Sequence, residues 1–121
     1  MLGFLSGEVI AKLDKSLIIS NGQIGYEVVV TTSLFEEIQE KDLLELFIHT
    51  NVREQEISLF GFKSVQELNF FRKIISVSGI GPRTGIDFLS IPQEKLKAAI
   101  VQGDIAFITN IKGIGKKTAE R

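Results

Sequence analysis

The period of the apolar residues changes once along the chain, near residue 62. Before that point they fall in short runs rich in Val, Ile and Phe: Phe4–Leu13, Leu17–Ile19, Ile24–Val30, Leu43–Val52 and Ile57–Phe62. Turn signals part the first three, Asp14-Lys15 and then Asn21-Gly22. The last two are joined by Arg53-Glu54-Gln55-Glu56, a polar link of hairpin length. A single helical turn is expected around Ser33–Ile38. Five short strands in residues 1–62, with a short helix after the third, predict a small barrel of the OB type. An SH3-like barrel has a similar strand count and stays open at this point.

Beyond residue 62 the period becomes helical. Ser64-Val65-Gln66-Glu67 has the form of a capping box, in which the hydroxyl accepts a backbone N–H three residues on and the Glu reaches back. Leu68, Phe71, Ile74 and Ile75 then recur at spacings of 3 and 4, one face of a helix. Pro82 suits the first turn of a second helix, running to about Leu89. Pro92 opens a third with Leu96, Ala99 and Ile100 on one face, and Asp104 caps a fourth over Ile105–Ile111. A fifth starts near Lys116 and stops at Arg121, too short to stand alone. The expectation is that the natural chain continues or was trimmed. The domains expected are a barrel over 1–62 and a helical domain over 63–121.

Length and composition narrow the classes. At 121 residues with 44% hydrophobic residues, one ordinary domain or two small ones can form a core. Two modules of about 60 residues would each be marginal alone, so docking or oligomerisation would matter. With no cysteine there is neither a disulfide framework nor a thiolate metal site. No apolar run is long enough to span a membrane, and Met1–Ser6 lacks the basic flank of a signal peptide. A soluble, cytoplasmic protein is expected. The net charge of −1 conceals a split. Residues 1–62 hold four basic and ten acidic side chains, a net of −6, and residues 63–121 hold ten basic and five acidic, a net of +5. That asymmetry points to a basic partner-binding module beside an acidic one.

The strongest signal is an internal repeat. Ile74–Gly85 reads I-I-S-V-S-G-I-G-P-R-T-G and Ile108–Ala119 reads I-T-N-I-K-G-I-G-K-K-T-A. Gly79 aligns with Gly113 and Gly81 with Gly115. Ile80 aligns with Ile114, Arg83 with Lys117 and Thr84 with Thr118. A tight turn between helices needs glycine where φ is positive or where the backbone approaches another molecule closely. The Ile between the glycines plugs the turn into the core. The following helix start and its cation suit one phosphate and read no base edge. Gly79, Gly81, Arg83, Thr84, Gly113, Gly115, Lys116, Lys117 and Thr118 are therefore the candidate DNA-phosphate contacts, with Ile80 and Ile114 as anchors. One Gly-Ile-Gly could be only a helix-ending turn; two copies in matched apolar frames, each followed by a cation, point to a paired grip. The spacing also matches some helical solenoids, but those need at least three repeats and lack this turn chemistry.

The repeat resembles the helix-hairpin-helix motif of DNA-binding proteins. The whole chain resembles the RuvA family of Holliday-junction-binding subunits. The match runs from Leu2-Gly3 through Gly25-Tyr26-Glu27-Val28, Val52-Arg53-Glu54 and Leu59-Phe60-Gly61-Phe62 to the string Gly113–Arg121. The resemblance implies an OB barrel, a domain with two helix-hairpin-helix motifs, and a C-terminal three-helix domain that is absent here. It implies a homotetramer holding the arms of a four-way junction, with no catalysis and no cofactor. It further implies a RuvB-like motor ATPase as partner, docked through the absent domain, and a RuvC-like resolvase as a further candidate partner. The turn between the last two strands would form an acidic pin at the crossover, made here of Glu54 and Glu56. Family members typically carry two adjacent acids after the Arg; this chain has Gln55 in the second place and Glu56 one position later.

Other features have plainer readings. Phe60 and Phe62 could stack bases, as aromatics on OB barrels do, but core packing accounts for them better. His49 is the single histidine and cannot build a transition-metal site alone. No Ser, His and acid arrangement or carboxylate pair stands out, and Asp87 and Asp104 fit capping or surface roles. Two rivals remain. One is a fragment of a helix-hairpin-helix repair enzyme, such as a glycosylase, which would need a catalytic Asp or Lys beyond the hairpin. The other is a single-strand-binding OB module.

Overall fold

Alternation along the strands decides which side chains go inside. In β4, Leu43–Val52, Leu46 and Ile48 are fully buried while Glu45 between Leu44 and Leu46 is exposed. In β1, Phe4–Lys12, Leu5 and Val9 point inward and Ser6 and Glu8 outward. This period-2 burial is what a barrel with one filled interior requires. A computed structural model of the chain describes residues 1–90. It contains β2 over Ser16–Ser20, β3 over Gly25–Val29, α1 over Thr32–Glu37 and β5 over Ile57–Phe62. The chain divides into two compact units, Met1–Leu68 and Asn69–Arg121.

The five strands of the first unit close in the order β1-β2-β3-β5-β4, with β4 returning to β1. All pairs are antiparallel except β3 with β5, where Val28 meets Leu59 and Val29 meets Phe60 in parallel register. A five-stranded barrel with its helix between β3 and β4 is the OB-like arrangement, which settles the choice that strand counting left open. Leu5, Val9, Leu17, Ile19, Val28, Leu46 and Ile48 fill the interior. Each such side chain stabilises the fold by roughly 1.5–3 kcal/mol through burial. Phe60 and Phe62 are 1% exposed, so they are core residues and unavailable to stack bases.

Boundaries differ from the sequence expectation in small, explicable ways. β1 ends at Lys12 instead of Leu13. β2 starts at Ser16 and ends at Ser20, one residue wider on each side than its apolar core. Ser16 is buried, and its hydroxyl donates to Glu27 Oε2 at 2.9 Å, which satisfies a polar group inside the sheet. β3 covers Gly25–Val29 instead of Ile24–Val30, because the Asn21 side chain accepts the N–H of Ile24 and draws that residue into the turn. The helical turn begins one residue early: Thr31 is the N-cap, and its hydroxyl accepts the N–H of Leu34 at 3.2 Å. Leu34 is thereby carried into the barrel core at 2% exposure.

Helix α2 spans Val65–Ile75, and the Ser64 hydroxyl accepts the N–H of Glu67 at 3.1 Å, as the capping-box pattern requires. Helix α3 spans Pro82–Asp87 with Pro82 at its start and runs on into a short 3-10 turn at Phe88–Ser90. The helices expected from Pro92, Asp104 and Lys116 lie outside the described residues.

Candidate nucleic-acid interface

In the second unit the first Gly-Ile-Gly forms a tight hairpin between α2 and α3. The N–H of Val77 donates to Ile74 O, and the N–H of Ile80 donates to Val77 O, each at 3.1 Å. These bonds end α2 and fold the chain back. Gly79 has φ +89°, a conformation that costs other residues roughly 1–2 kcal/mol. Ile80, between the glycines, is 8% exposed, the plug that its apolar nature predicts. Gly81 is the N-cap of α3 at φ −85° and ψ 170°, with no side chain to accept a hydrogen bond there. That backbone is open to any residue. The two glycines therefore differ: the left-handed backbone of the turn demands Gly79, whereas the backbone conformation at Gly81 makes no such demand.

The surroundings of the turn follow from the same residues. Ser76, Ser78, Gly79 and Arg83 are exposed, Thr84 and Gly81 are half-buried, and Pro82 and Ile86 are buried. Gly85 sits where α3 crosses α2: a Cβ there would lie 2.7 Å from the Ile75 side chain and 3.5 Å from Phe71. The hairpin thus presents backbone and one guanidinium outward over an apolar base of Phe71, Ile74, Ile80 and Ile86. Gly79, Ile80, Gly81, Arg83 and Thr84 are brought together in one turn. Gly113, Ile114, Gly115, Lys116, Lys117 and Thr118 lie outside the described residues.

In the first unit Glu54 and Glu56 sit on the loop between β4 and β5. Val52 pairs with Ile57 at its base, and the N–H of Arg53 donates to Glu56 O at 2.8 Å. That bond makes Arg53 and Glu56 the shoulders of the loop and Glu54 and Gln55 its tip. All four are exposed. Glu54 is thus the tip acid, and Glu56 stands one step back, across from Arg53. Val52 and Ile57 are 63% and 69% exposed, an apolar pair beneath the acidic tip that reads in sequence only as two strand ends. His49 is half-buried on β4 opposite Phe60, and Asp87 closes α3.

Comparison with known proteins agrees with both the closed five-stranded barrel and the glycine hairpin between helices. Residues 1–61 match the family described as RuvA N terminal domain, and residues 71–121 match the SAM-like Helix-hairpin-helix tandem. The chain belongs to the RuvA family. Its relatives include the Holliday junction branch migration complex subunit RuvA of Geobacter sulfurreducens at 46% identity, that of Geobacter metallireducens at 44% and that of Pelobacter propionicus at 41%. In each comparison the whole of this chain aligns with 62% of the RuvA relative's length. The chain therefore spans less than two thirds of the curated RuvA proteins it matches. Within the described residues, no helix is long and apolar enough to cross a membrane.

One group was not singled out in the sequence. Arg72 and Lys73 fall in the last turn of α2, directly before the hairpin, and both are exposed. Cations there have a ready explanation in the helix dipole, which hides any further role from sequence reasoning.

Proposed function

We propose that this chain recognises four-way DNA junctions through their sugar-phosphate backbone, without catalysis, as the junction-binding subunit of a branch-migration complex in recombination and repair. The observation that carries this reading is the hairpin at Gly79–Arg83. Its backbone, exposed at Gly79 and half-buried at Gly81, has no side chain at either, and a guanidinium stands two residues beyond. Such a surface accepts a phosphate at close range and offers nothing to distinguish one base from another. The names of the relatives supply the branch-migration setting.

On this reading the barrel module 1–62 carries assembly and the acidic pin, and the module 63–121 carries DNA contact. Gly79, Gly81, Arg83 and Thr84 form one grip. Gly113, Gly115, Lys116, Lys117 and Thr118 form its repeat, with Ile80 and Ile114 as anchors. The working form is a homotetramer, the energy source is a RuvB-like motor ATPase, and a RuvC-like resolvase is a candidate later partner. No cofactor is required, because phosphate binding needs only the backbone and the cations. A bacterial cytoplasmic setting accords with the organisms of the relatives.

Competition binding tests the reading. Labelled four-way junction is displaced by unlabelled junction, linear duplex of the same sequence, or single strand. The expected order is junction well ahead of duplex, with single strand weakest. Equal affinity for junction and duplex would overturn junction recognition. Preference for single strand would favour an OB-type single-strand binder instead.

A further inference from the structure

We propose that Lys73 is a second phosphate-binding cation of the first hairpin, taking the phosphate next to the one held at Gly79–Arg83. The inference rests on the phosphate-grip reading and adds a residue to it. Around α2, Leu68, Phe70, Phe71 and Ile74 occupy the buried side, while Asn69, Arg72, Lys73 and Ser76 are exposed. Lys73 and Ser76, three residues apart, share the outward arc. The Ser76 hydroxyl donates to Lys73 O at 2.5 Å, and the Ser76 N–H donates to the same carbonyl at 3.3 Å. These two bonds tie the backbone of Lys73 to the residue that leads into the turn. The bonds from Val77 to Ile74 and from Ile80 to Val77 continue that tie to the glycines. The exposed track from Lys73 through Ser76, Ser78 and Gly79 to Arg83 contains no carboxylate.

Spacing agrees with charge. Lys73 lies in the last turn of α2, three residues before Ser76, where the helix gives way to the turn. Successive phosphates of one strand advance ~3.4 Å along the duplex axis. A strand seated on the glycine turn therefore brings its neighbouring phosphate towards the last turn of α2. Lysine acts there as a flexible point charge, suited to a phosphate whose position shifts between junction arms. A role confined to the helix dipole would involve the same residue but no DNA, and the two are separable by measurement.

The test is junction binding titrated with salt for the full chain and for Lys73→Gln, Lys73→Arg, Arg83→Gln and Lys15→Gln, each with its melting temperature. Lys15 is an exposed barrel lysine and controls for the loss of one charge. Lys73→Gln is expected to reduce the slope of log affinity against log salt by about 0.9 per bound copy. Between 50 and 200 mM salt that makes the affinity loss roughly 3-fold shallower per copy. Lys73→Arg is expected to keep the original slope. If Arg83→Gln lowers the slope and Lys73→Gln behaves like Lys15→Gln, the inference is overturned and the grip stands. A lower melting temperature with an unchanged slope in Lys73→Gln also overturns it, leaving a dipole role alone. If neither Arg83→Gln nor Lys73→Gln changes the slope, the phosphate grip itself fails.

Discussion

The two glycines of the first hairpin are indistinguishable by residue type and differ in what the backbone asks of them. Gly79 at φ +89° is a conformational requirement, and Gly81 at φ −85° is not. This gives two substitutions with different expected outcomes. Gly79→Val strains the turn, so it is expected to lower the melting temperature by several degrees and to weaken DNA binding further than that loss explains. Gly81→Ala adds one methyl at an unstrained site. It is expected to leave melting nearly unchanged and to reduce junction affinity by about tenfold or more if a phosphate seats against that backbone. Thermal melting beside junction binding checks both. Binding by Gly81→Ala equal to that of the parent would mean that no group approaches Gly81 closely. The glycine spacing was legible in the sequence because a tight turn leaves few residue choices. The difference between the glycines was not, because it resides in dihedral angles. Thr31 is a similar case: Thr31, Thr32 and Ser33 can all cap a helix, and only the buried destination of Leu34 selects the first.

At the scale of elements, the barrel was readable because β-branched runs and turn signals alternate cleanly across residues 1–62. Its errors fall where polar residues join strands. Ser16 and Ser20 extend β2 because backbone pairing continues past the apolar core, and the Ser16 hydroxyl finds Glu27 inside the sheet. The loop from Arg53 to Glu56 was readable as a hairpin, but not which acid occupies its tip. With Arg53 and Glu56 as bonded shoulders, Glu54 shares the tip with Gln55 and Glu56 stands at its base. If the loop opposes continuous duplex, a carboxylate near a phosphate costs about 1 kcal/mol at 4 Å in water and more where water is excluded. Strands diverging at a junction would then avoid that repulsion, and the acids would penalise duplex more than junction. Glu54→Gln with Glu56→Gln is expected to raise duplex affinity more than junction affinity, lowering their ratio. Of the single changes, Glu54→Gln is expected to carry the larger share because it holds the tip. Equal shares would mean that Glu56 stands in fully for the acid absent at position 55, and an unchanged ratio in the double variant would remove the pin from selectivity altogether.

At the scale of the whole molecule, a net charge of −1 is the sum of a −6 barrel half and a +5 helical half. On the proposed reading, an acidic module with its hairpin acids would repel DNA wherever it met a phosphate, while a basic module carrying the sequence repeat would attract it. Overall charge therefore predicts little about binding, and the arrangement of the halves predicts much. If both repeats grip phosphate and the chain assembles as proposed, they would act through effective concentration: once one is seated, the others would search a small volume. Each neutralised phosphate adds roughly −0.9 to the slope of log affinity against log salt, so several hairpins acting together are expected to give a slope of about −4 or steeper. Changing the base sequence of the arms is expected to alter affinity very little, since phosphate contacts carry no sequence information. Charge reversal supplies the decisive comparison. Arg83→Glu and Lys117→Glu occupy matching places in the repeat, so each is expected to flatten the slope, and the double change more than either. Flattening by only one of them would show that the repeats are unequal and that a single hairpin bears the DNA. A salt-insensitive affinity in the parent chain would rule out phosphate contact as the source of binding, whatever the variants did.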